Sequence, residues 1–249
     1  MDLSGRTIAI TGATSGIGEA TAVMAARAGA AVSLAGRRED RLRDIASRIE
    51  GEGGRAVAIP TDVANEDSAR GFVQQSYEHH GRLDVLVNNA GVMLLGAVTN
   101  ADVNEWRQMI EVNCLGLLYC THAALPVMGE QGGGHIVNVA SVAGRRAAMG
   151  AAVYNMTKFG VVGFSEALRQ EALHAGIRVT VVEPGFVDTE LQGHNAPKDY
   201  VMQATEKYRE EIGKVLEADD IATSILYAVS QPEHVNVSEI MIVPRGQRR

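Results

Sequence analysis

The chain reads as an α/β protein, a doubly wound parallel sheet in a single domain, and three observations predict it. Short runs rich in Val, Ile and Ala alternate with helical patterns along almost all of the 249 residues. The runs are apolar throughout, which suits strands buried on both faces by covering helices. The first run ends in a glycine-rich turn, Gly12 to Gly18, that opens directly into a helical pattern.

Taken in order, RTIAITG at 6–12 is rich in β-branched residues and predicts a buried first strand. Gly12, Gly16 and Gly18, with Ala13, Thr14, Ser15 and Ile17 between them, permit a tight turn and close backbone approach to a ligand. The Ala-rich stretch 17–28 then predicts a helix, closed by Gly29, whose unpaired N–H groups and positive dipole end face that turn. A strand, a GxxxGxG turn and a helix in that order predict dinucleotide binding. The second strand, 30–36, ends Gly36-Arg37-Arg38, with no acid before Glu39, and a charged helix follows at 39–51. Where such a strand meets the adenosine ribose, an acid selects the 2′-OH of NAD and an arginine accommodates the 2′-phosphate of NADP. Arg37 and Arg38 therefore predict NADP(H) over NAD(H).

The third strand, 55–60, leads to Asp62-Val63 and a helix at 65–80. The fourth, 83–88, ends Asn88-Asn89-Ala90-Gly91, before a long helix at 104–126. The fifth, 134–140, stops at Ser141, and a helix over 152–175 follows. The sixth, 177–183, runs into Pro184-Gly185-Phe186-Val187-Asp188-Thr189. The stretch 190–215 breaks the rhythm at the carboxyl edge of the sheet and reads as a substrate-loop insertion. A helix at 219–230 and a strand at 237–243 complete about seven strands.

Composition sets outer bounds. Hydrophobic residues make up 46% and charged residues 21%, and the net charge of −7 argues against nucleic acid or an anionic membrane as partner. No stretch approaches the ~20 apolar residues of a membrane span, and the first strand starts too early to leave room for a signal peptide. Cys114 and Cys120, the only cysteines, sit six apart in one predicted helix and read as reduced packing residues of a cytoplasmic protein. The seven histidines form no HxxxH pattern and no cluster with cysteine, so a metal site is not expected.

The chemistry concentrates in AVYNMTKFG. Tyr154 and Lys158 are four residues apart, on one helical face, with Ser141 upstream. A free phenol titrates near ~10. An ammonium beside it favours the phenolate, and a nearby serine hydroxyl can bond the same substrate oxygen. Met93, Leu94, Val142, Met149, Phe186 and Leu191 flank these motifs as substrate-pocket candidates. Arg145 and Arg146 could meet a substrate carboxylate, although a solvated or intersubunit role fits better.

With TGATSGIG at 11–18, DV at 62–63, NNAG at 88–91, Asn113, Ser141, YNMTK at 154–158 and PGFVDT at 184–189, the chain resembles the short-chain dehydrogenase/reductase family over its full length. The resemblance implies a Rossmann-type fold and a tetrad of Asn113, Ser141, Tyr154 and Lys158. Tyr154 would be the acid/base, Ser141 would orient the substrate oxygen, and Lys158 would hold the nicotinamide ribose and lower the phenol pKa. Asn113 would help position a water that relays protons to Lys158. It implies cofactor contacts from Asp62 and Val63 to adenine, from Asn88 and Gly91 to the adjoining ribose and backbone, and from Thr189 to the nicotinamide carboxamide, with Asn89, Ala90, Pro184, Gly185 and Val187 also among the cofactor-binding residues. Within the family the chain looks most like clavulanate-type aldehyde reductases and serine or 3-hydroxy acid dehydrogenases. The alternatives are a 3-oxoacyl carrier-protein-type reductase, a lyase or epimerase using the cofactor transiently, and, from another class, a non-catalytic NADP(H)-sensing regulatory protein. Helices 104–126 and 152–175 are apolar on more than one face, which with the resemblance predicts a homotetramer or homodimer.

Overall fold

The computed structural model describes residues 1–195 and 198–248. Seven parallel strands form one sheet: β1 (Thr7–Thr11), β2 (Ala31–Gly36), β3 (Arg55–Pro60), β4 (Val85–Asn88), β5 (Gly134–Val139), β6 (Ile177–Pro184) and β7 (Glu239–Ile242). Their spatial order is β3-β2-β1-β4-β5-β6-β7. Sequence order reverses between β1 and β4, and at such a switch point the connecting loops part and leave a crevice at the carboxyl edge.

Helices cover both faces. They are α1 (Gly16–Arg27), α2 (Glu39–Gly51), α3 (Glu66–His80), α4 (Val103–Ile110), α5 (Gly116–Glu130), α6 (Ala152–Glu171), α7 (Asp199–Ile212) and α8 (Ala218–Val229). One buried cluster joins Ile8, Ile10, Val32 and Leu34 to α1, α2 and α8; a second joins Leu86, Ile136 and Val179 to Phe72, Cys120 and Met128. The strands are apolar on both sides because each side meets one of these layers.

Three expectations are modified. Helices α4 and α5 are one continuous rod joined by a π-helical turn, Glu111–Leu115, and run on to Glu130 because Pro126 sits within α5 without ending it. That rod, Val103–Glu130, is long and apolar enough to cross a membrane by length and composition, contrary to the sequence reading. Here it packs on α3, β4, β5 and α6. The insertion at 190–215 is ordered into a 3₁₀ turn, Glu190–Asn195, and α7, with Ala196 and Pro197 outside the described residues. Asn195 is buried; its side chain accepts from Leu95 N at 2.7 Å and donates to Met93 O at 2.9 Å, while Lys198 Nζ donates to Leu95 O at 2.8 Å and pairs with Glu105.

Candidate active site

A cleft of about 490 Å³ opens at the carboxyl edge over β1 and β4. Its floor begins with the turn after β1. Gly12 has φ +67°, and a Cβ there would lie 2.8 Å from Ala90 Cα, so the two loops touch backbone to backbone. A Cβ on Gly18 would lie 2.3 Å from Gly12 O; this glycine lets α1 press against the turn and does not itself line the cleft. Asn89 locks the loops together, its side chain donating to Thr11 O at 2.9 Å and its backbone N–H donating to Thr11 Oγ1 at 3.0 Å.

Around that turn the cleft gathers Thr14, Ser15, Gly16 and Ile17, then Arg37 and Arg38, then Asp62 and Val63, then Asn89, Ala90 and Gly91. The opposite end is walled by Ser141, Tyr154, Lys158, Pro184, Gly185, Val187, Thr189 and Leu191. Residues from seven separate loops and helices thus meet because parallel strands deliver all their carboxyl ends to one side.

Arg38 is already engaged. Its guanidinium donates to Thr14 Oγ1 at 2.8 Å and Ser15 Oγ at 2.9 Å and pairs with Glu190 at 2.8 Å. The sequence shows no acid at this strand end before Glu39; the fold brings another, Glu190, from the far side of the cleft. Hydrogen bonds from Arg38 and Ser15 hold the Glu190 carboxyl below its usual range. Arg37 lines the same end of the cleft and is exposed.

At the other end Tyr154 and Lys158 rise from the first turns of α6, both buried, with Lys158 Nζ 5.8 Å from the phenol ring centre. Lys158 Nζ donates to Val139 O at 2.9 Å. Burial disfavours its charge and brings its pKa down to about 8. Burial pushes the Tyr154 phenol up to about 12, opposite in direction to the lowering expected from Lys158, and the hydrogen bond with Ser141 offsets only part of that. Both groups are desolvated together, and for the phenol that burial outweighs its hydrogen bond. Ser141, at the end of β5, accepts from Ala143 N at 3.1 Å and leans toward Pro184 O at 3.4 Å.

Two predicted residues stand behind the cleft. Asn113 occupies the π-helical turn, a local widening that lets its side chain turn inward. Its Oδ1 accepts from Val92 N at 2.8 Å and its Nδ2 donates to Val92 O at 2.9 Å, so it holds the wall beside Gly91. Asn88 turns away into the sheet, donating to Thr121 Oγ1 at 3.0 Å and Asn138 Oδ1 at 2.9 Å. It braces β4 against β5 and α5, which corrects its assignment to the ribose.

Of the substrate-pocket candidates, Leu191 lines the cleft, and Met93 and Leu94 pack with Val92, Met109 and Tyr154. Phe186 lies edge-on to Tyr208 at 6.1 Å, Val142 lies in the turn after Ser141, and Met149 is fully exposed. Arg145 is committed to Glu183 and Glu239 within the chain while its side chain stays 35% exposed, so it is partly solvated but not free for a substrate carboxylate; Arg146 is exposed. Sequence reasoning missed Thr61, Val92, Val112, Glu190, Gln192 and His194, all in the cleft lining. It also missed Asn155, whose side chain donates to Ala143 O at 2.7 Å and Arg146 O at 2.9 Å, fastening the loop after Ser141 to α6. None of these has a spacing signal, because their partners are distant in sequence or are backbone atoms.

The fold is of the doubly wound, Rossmann-like class with a cleft at its switch point, and comparison narrows it. A family model described as short chain dehydrogenase matches residues 6–199, and the chain belongs to that family. It is 38% identical over 242 residues to an uncharacterized oxidoreductase of Staphylococcus aureus (strain USA300), covering 97% of this chain and 98% of that one. It is 40% identical over 246 residues to the glycine betaine reductase ATRR of Emericella nidulans, covering 98% of this chain but only 19% of that much longer protein. Among solved structures, a serine dehydrogenase complexed with NADP+ superposes with a TM-score of 0.90 at 32% identity, covering 98% of this chain and 96% of the other. An alcohol dehydrogenase of the archaeon Thermococcus sibiricus, complexed with 5-hydroxy-NADP, superposes with a TM-score of 0.87 at 29% identity and 98% coverage of both chains.

Proposed function

We propose that this chain transfers a hydride reversibly between NADP(H) and the carbonyl or alcohol carbon of a small aldehyde, ketone or hydroxy acid. The observation that carries this reading is the joining, in one cleft, of a glycine turn with two arginines at one end and Tyr154, Ser141 and Lys158 at the other. The solved relatives complexed with NADP+ and 5-hydroxy-NADP support the phosphorylated cofactor.

The residues present fit that cofactor. The close approach of Gly12 to Ala90 keeps the turn free of side chains, the start of α1 offers unpaired N–H groups to a pyrophosphate, and Arg37 and Arg38 suit a 2′-phosphate. When bound, NADPH supplies the hydride. The Tyr154 phenol is protonated at neutral pH, as a free phenol already is, and burial moves it further in that direction; this is the form a proton donor needs as the substrate oxygen gains charge. The Ser141 hydroxyl donates to the same oxygen and stabilises it before protonation. Lys158, held against Val139 O, is assigned the nicotinamide ribose; Asn113 steadies the Gly91–Val92 wall beside it. Asp62, Val63, Asn89, Ala90, Pro184, Gly185, Val187 and Thr189 are assigned to the cofactor's remaining contacts.

A panel of aldehydes, ketones and hydroxy acids followed by NADPH absorbance tests the reading. Turnover with NADPH exceeding that with NADH is expected. Tight NADPH binding with no turnover on any member would instead favour the sensing protein. We further assign a cytoplasmic homotetramer or homodimer. Met156 and Phe159 on α6, with Val103 and Ile110 on the rod, are exposed apolar side chains that a second copy would cover. Light scattering at micromolar concentration should give a multiple of 26.5 kDa, and a clean monomer mass would refute the assembly.

A further inference from the structure

We propose that Arg145, acting through its ion pair with Glu183, is a positioning residue for Ser141 and for the Pro184–Gly185 wall. This rests on the oxidoreductase reading above.

The Glu183 side chain is 1% exposed. A carboxylate so placed is stable only when charge and hydrogen bonds compensate it, and its desolvation otherwise costs several kcal/mol. The compensation comes from Arg145, whose Nε lies 3.0 and 2.9 Å from the two carboxylate oxygens and whose Nη2 lies 2.6 Å from Oε1. The same Nη2 reaches Glu239 on β7 at 2.5 Å.

What matters is where the two partners are anchored. Arg145 ends the short turn Val142–Gly144 that begins at Ser141: Gly144 N donates to Ser141 O at 2.8 Å and Arg145 N to Val142 O at 3.0 Å. Gly144 is pressed onto α6, since a Cβ there would lie 2.7 Å from Lys158 O. Glu183 immediately precedes Pro184, whose carbonyl faces the Ser141 hydroxyl at 3.4 Å. The guanidinium therefore clamps the loop carrying Ser141 to the strand end that forms the adjoining wall. The turn cannot drift outward without stranding a buried carboxylate, and a displacement of about 1 Å at a reacting group can cost on the order of 100-fold in rate. The Arg145–Glu183 fork is thus a device for holding a hydroxyl in place, using a buried charge as the anchor.

The test separates positioning from fold stability. Arg145→Met alone is expected to lower Tm, because Glu183 is left unpaired. Arg145→Met combined with Glu183→Gln removes the stranded charge and should restore Tm and NADPH affinity to near the unmodified values. Its kcat should still fall about 10- to 100-fold, with KM for the carbonyl little changed. Arg145→Lys keeps the charge without the two-pronged geometry; it should fold and lose kcat several-fold. Full kcat in both the Lys variant and the double variant overturns the proposal while leaving the oxidoreductase reading intact. An unmodified chain that turns over no carbonyl with NADPH overturns both, so the two failures are distinguishable.

Discussion

The two edges of the sheet bury ionisable groups by the same physics and put them to different use. At the carboxyl edge, Lys158 and Tyr154 are 5% and 6% exposed and border the cleft. At the amino edge, His135 is 1% exposed at the start of β5, and its Nε2 lies 2.7 Å from Thr180 Oγ1. Thr180 in turn donates to Val237 O at 2.7 Å, and Arg178 donates to Val235 O at 2.9 Å. Burial lowers His135 to about 3 and Lys158 to about 8. A shifted pKa alone therefore does not distinguish the two edges. What distinguishes them is convergence: none of the amino-edge residues lines the cleft, and their partners are neighbouring strands and backbone. There burial serves the fold; at the carboxyl edge it borders the cleft to which the proposed reaction is assigned.

The strongest attempt to break that contrast is Tyr154→Phe, which keeps the ring and its packing but removes the proton. Turnover should fall about 10²- to 10⁴-fold, while NADPH binding and Tm stay close to the unmodified protein. Retained turnover would mean that the carboxyl-edge tyrosine is as structural as the amino-edge histidine. Next in size is cofactor choice. Arg37 is exposed at the mouth of the adenosine end, so Arg37→Asp replaces a phosphate donor with a repelling charge. The NADPH-to-NADH preference in kcat/KM should drop about 10- to 100-fold. An unchanged ratio would move the phosphate site away from this arginine.

The amino edge has its own prediction, and its sign follows from the direction of the shift. His135 is harder to protonate folded, at about 3, than its ordinary 6.5. The unfolded chain takes up a proton first, so this contribution to stability is present above pH 6.5 and is lost as the pH falls toward 3. Its slope is at most about 1.4 kcal/mol per pH unit. His135→Gln should flatten the acid limb of a Tm-against-pH curve and leave kcat at pH 7 unchanged. A variant that altered kcat but not the acid limb would reverse the assignment of roles to the two edges.

Much of this was legible in the chain because the relevant partners are close in sequence. Gly12 and Gly18 report their turn directly, and Tyr154 and Lys158 share a helical face by their spacing alone. Continuous apolar runs alternating with helical patterns announce the sheet, with β3 and α2 at the predicted bounds and the other ends shifted by a few residues. The rest depends on contacts made across the fold. Asn113 needs a π-helical turn that no pattern announces, Asn88 needs Thr121 and Asn138 to draw it inward, and Glu190 meets Arg38 only after the chain has crossed the sheet. The direction of the Tyr154 shift is hidden for the same reason: spacing shows a neighbouring ammonium but not the desolvation of both groups.

The smallest effect concerns that Glu190, and it sharpens the comparison inside the carboxyl edge itself. Its carboxylate engages Arg38 and Ser15, so on the proposed placement of the 2′-phosphate at Arg38 binding exchanges one anion for another. Both side chains of the pair are about half exposed, 46% and 54%, and exposed pairs contribute only ~0.2–1 kcal/mol. Glu190→Gln keeps the size and removes the charge. NADPH affinity should rise about two- to five-fold with a smaller gain for NADH, measured by fluorescence titration at low salt and fading at high salt as screening grows. An equal gain for both cofactors would show that Glu190 obstructs the common pyrophosphate and not the 2′-phosphate. Weaker binding would show that it orients Arg38 for the phosphate, a role closer to the structural pairs of the amino edge than to a competing anion.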